Sequence, residues 1–199
     1  IVLLALVLVL LSISMLGTRL VTTVSGSTTH HVYPGDSIQE AINSAQPGDT
    51  IFVHAGTYYE HVLVDKSLSL SGEEDRSAVI DGNGTGNVIE ITANNVNVTW
   101  FTIRNGMKGI FINVSDYNII SGNIVINNHY GIHLFAPCPC GGGTRENTIR
   151  NNIIKNNEFG ISLNNSTSNI FYHNNFINNT IQANNTETTN TWDNGYPSG

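Results

Sequence analysis

Three stretches of the chain share one pattern: Asn118-Ile-Ile-Ser-Gly-Asn-Ile-Val-Ile-Asn-Asn128, Asn147-Thr-Ile-Arg-Asn-Asn-Ile-Ile-Lys-Asn-Asn157 and Asn169-Ile-Phe-Tyr-His-Asn-Asn-Phe-Ile-Asn-Asn179. Each fits Asn-x-apolar-x-x-Asn-x-apolar-x-Asn-Asn. A fourth stretch, 96–106, keeps the apolar sites Val98 and Ile103 together with Asn105. The first three in chain order run on into Gly-Ile-x-apolar: Gly109-Ile110 with Ile112, Gly131-Ile132 with Leu134, and Gly160-Ile161 with Leu163. The repeat length is 22 residues from 96 to 118 and from 147 to 169, and 29 from 118 to 147. The seven extra residues fall around 136–143, which predicts a loop bulging from one repeat.

A 22-residue period of short apolar alternations is too short for a propeller blade and lacks the leucine spacing of a leucine-rich repeat. It suits a chain that coils once per repeat, so that like residues stack at the strand spacing of about 4.8 Å. The columns Val98/Ile120/Ile149/Phe171, Ile103/Val125/Ile154/Phe176, Ile110/Ile132/Ile161 and Ile112/Leu134/Leu163 then point inward. Asn123/Asn152/Asn174 and Asn105/Asn127/Asn156/Asn178 sit at corners, where amides can bond along a ladder and Asn tolerates left-handed backbone. The β-branched, Asn-rich content excludes coiled coils and helical repeats. The fold class expected is all-β: a right-handed parallel β-helix of about 22 residues per coil with a short N-terminal capping helix.

Working outward, residues 33–81 read as the cap and first coils, 82–190 as the repeats, and 191–199 as the start of a C-terminal continuation. In the cap, Asp36 or Ser37 can start a short amphipathic helix whose apolar stripe is Ile38, Ala41, Ile42 and Ala45, ended by Gln46-Pro47-Gly48-Asp49. Strands follow at 51–53, 61–64 and 67–70, with a turn at Ala55-Gly56. Residues 25–32 read as a polar spacer. Residues 1–24 open with an almost unbroken apolar run from Ile1 to Leu11, of the length of a signal-peptide core or a marginal membrane anchor. The missing initiator Met and basic leader region predict a truncated front, and export is expected.

Bulk composition limits the partners. A formal net charge of −7, only 12% charged residues and no Lys/Arg run argue against nucleic acid. Polarity comes instead from 28 asparagines. The two cysteines, Cys138 and Cys140, lie one residue apart, too close for an ordinary structural staple. With His133 they make a candidate set of soft ligands for copper or zinc, although the spacing of a four-ligand site is absent.

The residues Ser37-Ile-Gln-Glu-Ala-Ile42, Pro47-Gly-Asp-Thr-Ile51, Gly56-Thr-Tyr58 and Glu60 resemble the N-terminal cap of the pectin-lyase-like superfamily. The Asn-rich repeats resemble its NosD-type branch, found on archaeal and bacterial surface proteins. The resemblance spans residues 33–199 and is specific for fold. It implies little about activity, because the superfamily holds lyases, hydrolases, esterases and non-catalytic surface proteins. A superfamily lyase implies calcium held by carboxylates beside a basic Arg or Lys, and the NosD branch implies an association with copper-site maturation.

A β-helix makes neighbours of residues one coil apart, so catalytic clusters can be sought directly. Between Asn87 and Thr186 the acids are Glu90, Asp116, Glu146 and Glu158, and no two share a column. Arg145 lies one rung above Asp116, a surface ion pair of little worth. Arg104 and Lys155 share an outward column with no carboxylate column beside it. Glu73, Glu74, Asp75, Arg76 and Asp81 cluster at the cap-to-coil turn. Tyr130 and Phe159 share the column before the Gly-Ile strand, with Lys108 one rung below, and with Arg104 they form the candidate carbohydrate-binding set. Seven sequons are present; Asn113 and Asn164, placed on loops between coils, are the best acceptors, whereas Asn178 belongs to a corner ladder and is expected to be buried. The leading expectation is an exported or cell-surface scaffold or carbohydrate-binding module without a catalytic cluster. The alternatives are a polysaccharide lyase, should the cap acids meet Arg76 or Arg104 around calcium, and a NosD-like copper-maturation protein.

Overall fold

The computed structural model describes residues 26–138, 143–186 and 189–193. Three parallel sheets run the length of a right-handed coil. Sheet I stacks seven strands, Thr29–Val32, Thr50–Val53, Ser69–Ser71, Asn97–Thr99, Ile119–Ser121, Thr148–Arg150 and Ile170–Tyr172. Sheet II holds Gly56–Tyr58, Ala78–Asp81, Thr102–Arg104, Ile124–Ile126, Ile153–Lys155 and Asn175–Ile177. Sheet III holds Val62–Val64, Asn87–Ile91, Lys108–Asn113, Tyr130–Phe135, Phe159–Asn164 and Ile181–Thr186. From Thr50–Val53 onward the chain visits I, II and III in turn, so each coil adds one strand to every sheet.

The four apolar columns expected from the repeats pair as predicted. They continue toward the N-terminus through Ile51, Leu70, Ile80, Ile89 and Ile91, all fully buried. One face of each strand therefore belongs to a single core running along the coil axis. The coil starts earlier than the sequence suggested. Thr29–Val32, expected as spacer, is the first strand of sheet I, with only Val32 buried. Gly56 opens a sheet II strand instead of closing a turn.

The corners of the repeats follow one rule: a residue with positive φ precedes an inward-facing one. At the I-to-II corner Trp100, Gly122, Asn151 and His173 have φ of 66°, 72°, 55° and 53°. Asn105, Asn127, Asn156 and Asn178 do the same at the II-to-III corner, and Asn95, Tyr117, Glu146 and Ser168 at the III-to-I corner. The bonded ladders are made by the following residues: Asn118/Asn147/Asn169/Asn190, Asn123/Asn152/Asn174 and Asn128/Asn157/Asn179. The expected column Asn105/Asn127/Asn156/Asn178 thus supplies the backbone bend, and Asn178 is exposed where burial was expected.

The helix Ile38–Ser44 covers the N-terminal end with Ile38 and Ile42. Ser37 caps it, accepting from the Glu40 N–H. The Glu60 carboxylate accepts from the N–H groups of Ile38 and Gln39 at 3.0 and 3.1 Å, placing a negative charge at the helix start. Asp49 fastens the first strand. Its carboxylate accepts from the N–H groups of Gln46 and Thr28 and from the His30 ring, which lower its pKa to about 2. A folded value below the ordinary 3.8 means that the Asp49 contribution is complete above that value and disappears as pH falls from about 4 toward 2. Melting temperature followed by circular dichroism should therefore drop more steeply over that interval in the parent than in Asp49→Asn.

Candidate functional site

The outer face of sheet III gathers most of the exposed chemistry. Alternation within its strands sends Ile110, Ile112, Ile132 and Leu134 inward and the residues between them outward. Three outward columns result. The first is Asn87/Lys108/Tyr130/Phe159/Ile181 and the second Leu63/Glu90/Phe111/His133/Ser162/Asn184. The third includes Asn113, Phe135 and Asn164.

Tyr130 and Phe159 stack with centroids 4.9 Å apart and planes 17° apart. Tyr130 also stacks on His133 at 5.0 Å, and His129 meets the Tyr130 ring edge-on. The ring faces are thus engaged largely with one another. The Lys108 ammonium sits 3.7 Å from the Phe111 ring centroid, a cation–π contact. Burial pushes the Lys108 pKa down, and the Glu90 carboxylate opposes that shift. Glu90 accepts from the side-chain amides of Asn87 and Asn113 at 2.9 and 3.0 Å.

His133, 9% exposed, is a buried polar group of this face, beside the buried Ser162 one coil up. Its Nε2 bonds Asn164 Oδ1 at 3.0 Å, and since that oxygen only accepts, Nε2 carries the proton. Nδ1 is left with a lone pair and no partner. Burial pushes the imidazole pKa down, so the ring is neutral at pH 7.

The candidate carbohydrate set therefore divides. Lys108, Tyr130 and Phe159 share one column, but Arg104 lies on sheet II. There its Nε donates to Asp81 at 2.7 Å, and Asp81 is its registered neighbour one coil down. The expectation that Arg104 has no carboxylate beside it is corrected, because Asp81 belongs to the stack and not to a turn. Asp81 also accepts from the Asn83 N–H and the Asn105 amide. Burial works against its charge, yet these donors and Arg104 hold its carboxyl below the ordinary value. Arg76 turns elsewhere: its Nε donates to the Gly122 carbonyl at 2.6 Å and its guanidinium lies 5.3 Å from the Trp100 ring. Arg145 meets Asp116 through its backbone N–H, not as the expected ion pair.

Asn113 and Asn164 end sheet III strands instead of lying on loops, and their amides hold Glu90 and His133. Cys138 is disulfide-bonded and offers no thiolate in this state; Cys140 lies outside the described residues, as do residues 1–24. Among the described residues no group of three or more His, Cys, Asp or Glu is placed to hold a metal; the Cys138/Cys140/His133 set includes Cys140 and so lies partly outside them. No described helix is long and apolar enough to cross a membrane. Sequence reading missed Glu90, Phe111 and Phe135 on this face. The x of Gly-Ile-x-apolar marks Phe111 and His133 as outward neighbours of Tyr130.

Comparisons with known proteins agree with this architecture. The model of the family described as periplasmic copper-binding protein (NosD) matches residues 64–199. A cell surface glycoprotein of Methanothermus fervidus is 37% identical over 123 residues, covering 60% of this chain and 20% of the relative. This chain thus spans about a fifth of that protein's length. An alginate lyase from Paenibacillus sp. str. FPU-7 superposes with a TM-score of 0.65 at 19% identity, over 75% of this chain and 58% of the lyase. Pectate lyase Pel9A gives 0.62 at 16% identity, over 76% and 48%. At such identities the lyases share the fold alone.

Proposed function

The chain belongs to the NosD family, and from that premise we propose that it is a rigid scaffold module of an extracytoplasmic surface protein. The observation that carries this reading is the use made of buried polar groups. The buried asparagines are spent on ladders that join coil to coil, each Oδ1 accepting from the backbone and side-chain amides of the coil below. Such an array stiffens a solenoid and needs no ligand. The periplasmic description of the family and the surface relative support a place outside the cytoplasm. The lyase alternative lacks support from the described carboxylates: Asp81 is matched to Arg104, and Glu90 is held by two amides.

A second role, recognition of a surface polysaccharide by sheet III, is favoured by the lone Nδ1 of His133 beside Lys108 and Tyr130. The Nδ1 atom is enclosed, so a sugar hydroxyl would reach it only where a neighbouring side chain moves aside. Incubation with alginate and polygalacturonate, with and without calcium, should release no unsaturated product; release would overturn the scaffold reading. On a polysaccharide array, His133→Ala and Tyr130→Ala should each weaken any binding by roughly tenfold, the worth of one buried hydrogen bond for the imidazole and of one ring contact for the tyrosine. Binding unchanged in both would remove the sheet III reading and leave the scaffold one.

A further inference from the structure

The N-terminal end of the coil is closed unevenly. Sheet I has one strand more than sheets II and III, and its first strand, Thr29–Val32, pairs along one edge only, with Thr50–Val53. The register settles which backbone groups face that partner. The Thr28 and Val32 carbonyls accept from the Thr50 and His54 N–H groups. In a parallel ladder the residues at 28, 30 and 32 therefore bond, while Thr29 and His31 turn their N–H and C=O groups outward. Those groups have no partner among the described residues, and both residues are exposed. The helix Ile38–Ser44 covers the core at this end but leaves the edge open. A groove of about 530 Å3 lies between them, with His31 and Val32 on one side and Ser37, Glu40, Ala41 and Ser44 on the other. The latter four are spaced to share one helix face, and the small side chains at 41 and 44 keep the groove open. Its charge is one-sided: Asp36 and Glu40 are exposed, and the lining contains no Lys or Arg.

We propose that this edge takes an extended segment of a basic partner protein, which adds a strand to sheet I beside Thr29–Val32 and sets Lys or Arg side chains against Asp36 and Glu40. An unpaired strand edge is a template for another strand. Main-chain bonds to Thr29 and His31 supply the affinity. Alternation supplies the selectivity, because every second side chain of the added strand turns toward the helix and its carboxylates. A second copy of this chain fits the groove less well. It would bring its own Asp36 and Glu40 against these, and the chain carries a formal net charge of −7.

The test follows the amide resonances of the full chain by NMR as a blocked hexapeptide of alternating Thr and Lys is added. Shift changes and slowed hydrogen exchange are expected at Thr29, at His31 and along the helix Ile38–Ser44. The same peptide with Glu in place of Lys should bind roughly tenfold more weakly or worse, and Glu40→Gln should weaken the Lys peptide about threefold. Two N-methylated forms of the Lys peptide separate strand addition from simple charge attraction. Methyl groups on one alternate set of amides should abolish binding and on the other set should leave it, since only one set faces the edge. His31→Pro removes an outward N–H and none of the bonds to Thr50–Val53, a position where an edge strand tolerates proline. It should weaken the Lys peptide by roughly tenfold or more; should that variant fold poorly, the two methylated peptides decide on the parent chain. No change at Thr29 and His31, equal binding by both methylated forms, or protection of those two amides before any peptide is added overturns the proposal. Broadening at the edge that grows with protein concentration alone also overturns it and assigns the edge to a second copy.

Discussion

Asn152→Ala is expected to destabilise the coil by about 4 kcal/mol, whereas Asn127→Ala, a substitution of the same type at the next corner of the adjacent coil, should cost about 1 kcal/mol. Asn152 is fully enclosed. Its Oδ1 accepts from the backbone and side-chain amides of Asn123, and its Nδ2 donates to the Ile120 carbonyl and to Asn174 Oδ1. Removing the amide leaves the Asn123 N–H and the Ile120 carbonyl buried without these partners, and each such group costs about 1–3 kcal/mol. Asn127 is exposed and serves through its φ of 57°. An Ala there meets only the penalty of the left-handed region, and Asn127→Gly should be nearly neutral. Because solenoids open locally, hydrogen exchange at the Asn123 amide reports the effect directly. Protection there should collapse in Asn152→Ala and persist in Asn127→Ala. Equal losses in the two variants would mean that the ladders do not hold the coils together.

That contrast also marks how far the sequence could be read. The inward columns were legible because Ile, Val and Phe recur at one spacing and a parallel sheet turns equal spacing into contact. The corners were legible as corners, but the Asn-Asn pairs hid a division of labour. In Asn127-Asn128 and Asn156-Asn157 the first residue bends the chain and the second bonds, and composition alone does not separate them. Positions where the types differ do: His173-Asn174, Tyr117-Asn118 and Glu146-Asn147 each place the ladder residue second. The cap was harder, because its coils vary in length and place Asp81 beneath Arg104 only after the strands are in register. On sheet III the stack of Tyr130 on Phe159 could be read from their shared column. The lone pair of His133 could not, since it depends on which atom Asn164 presents. The contact between the rings of His31 and His54 is not legible in the sequence, because residues 25–32 read as spacer and only pairing with Thr50–Val53 brings those rings together.

Gly131→Ala is the second substitution expected to have a large effect, about 3 kcal/mol or more. The position is the second of the sheet III strand Tyr130–Phe135 and has a glycine directly below and above it in neighbouring coils. A Cβ on Gly131 would lie 2.5 Å from the Gly160 carbonyl oxygen, 3.0 Å from Asn157 Nδ2 and 3.1 Å from Ile154 Cγ2. The first of these is backbone and the second belongs to a ladder, so neither can move without breaking bonds between coils. Overpacking of a well-packed interior costs about 1–3 kcal/mol even where side chains can shift, and more where backbone must. The neighbours offer no slack, because a Cβ on Gly109 would meet the Gly131 oxygen at 2.7 Å. Gly160 has the tightest approach of the three stacked glycines, 2.4 Å from the Gln182 oxygen, yet Gln182 lies in the strand Ile181–Thr186, which pairs along one edge only among the described residues and so yields more readily. Gly160→Ala should therefore cost less than Gly131→Ala despite the shorter distance. Gly143→Ala, whose nearest neighbour is the flexible Arg145 side chain at 3.3 Å, should stay within about 0.5 kcal/mol of the parent. Urea denaturation of the three variants checks the order. If Gly160→Ala proved the most damaging, the single closest contact would set the cost, and the confinement of a coil between two others would not.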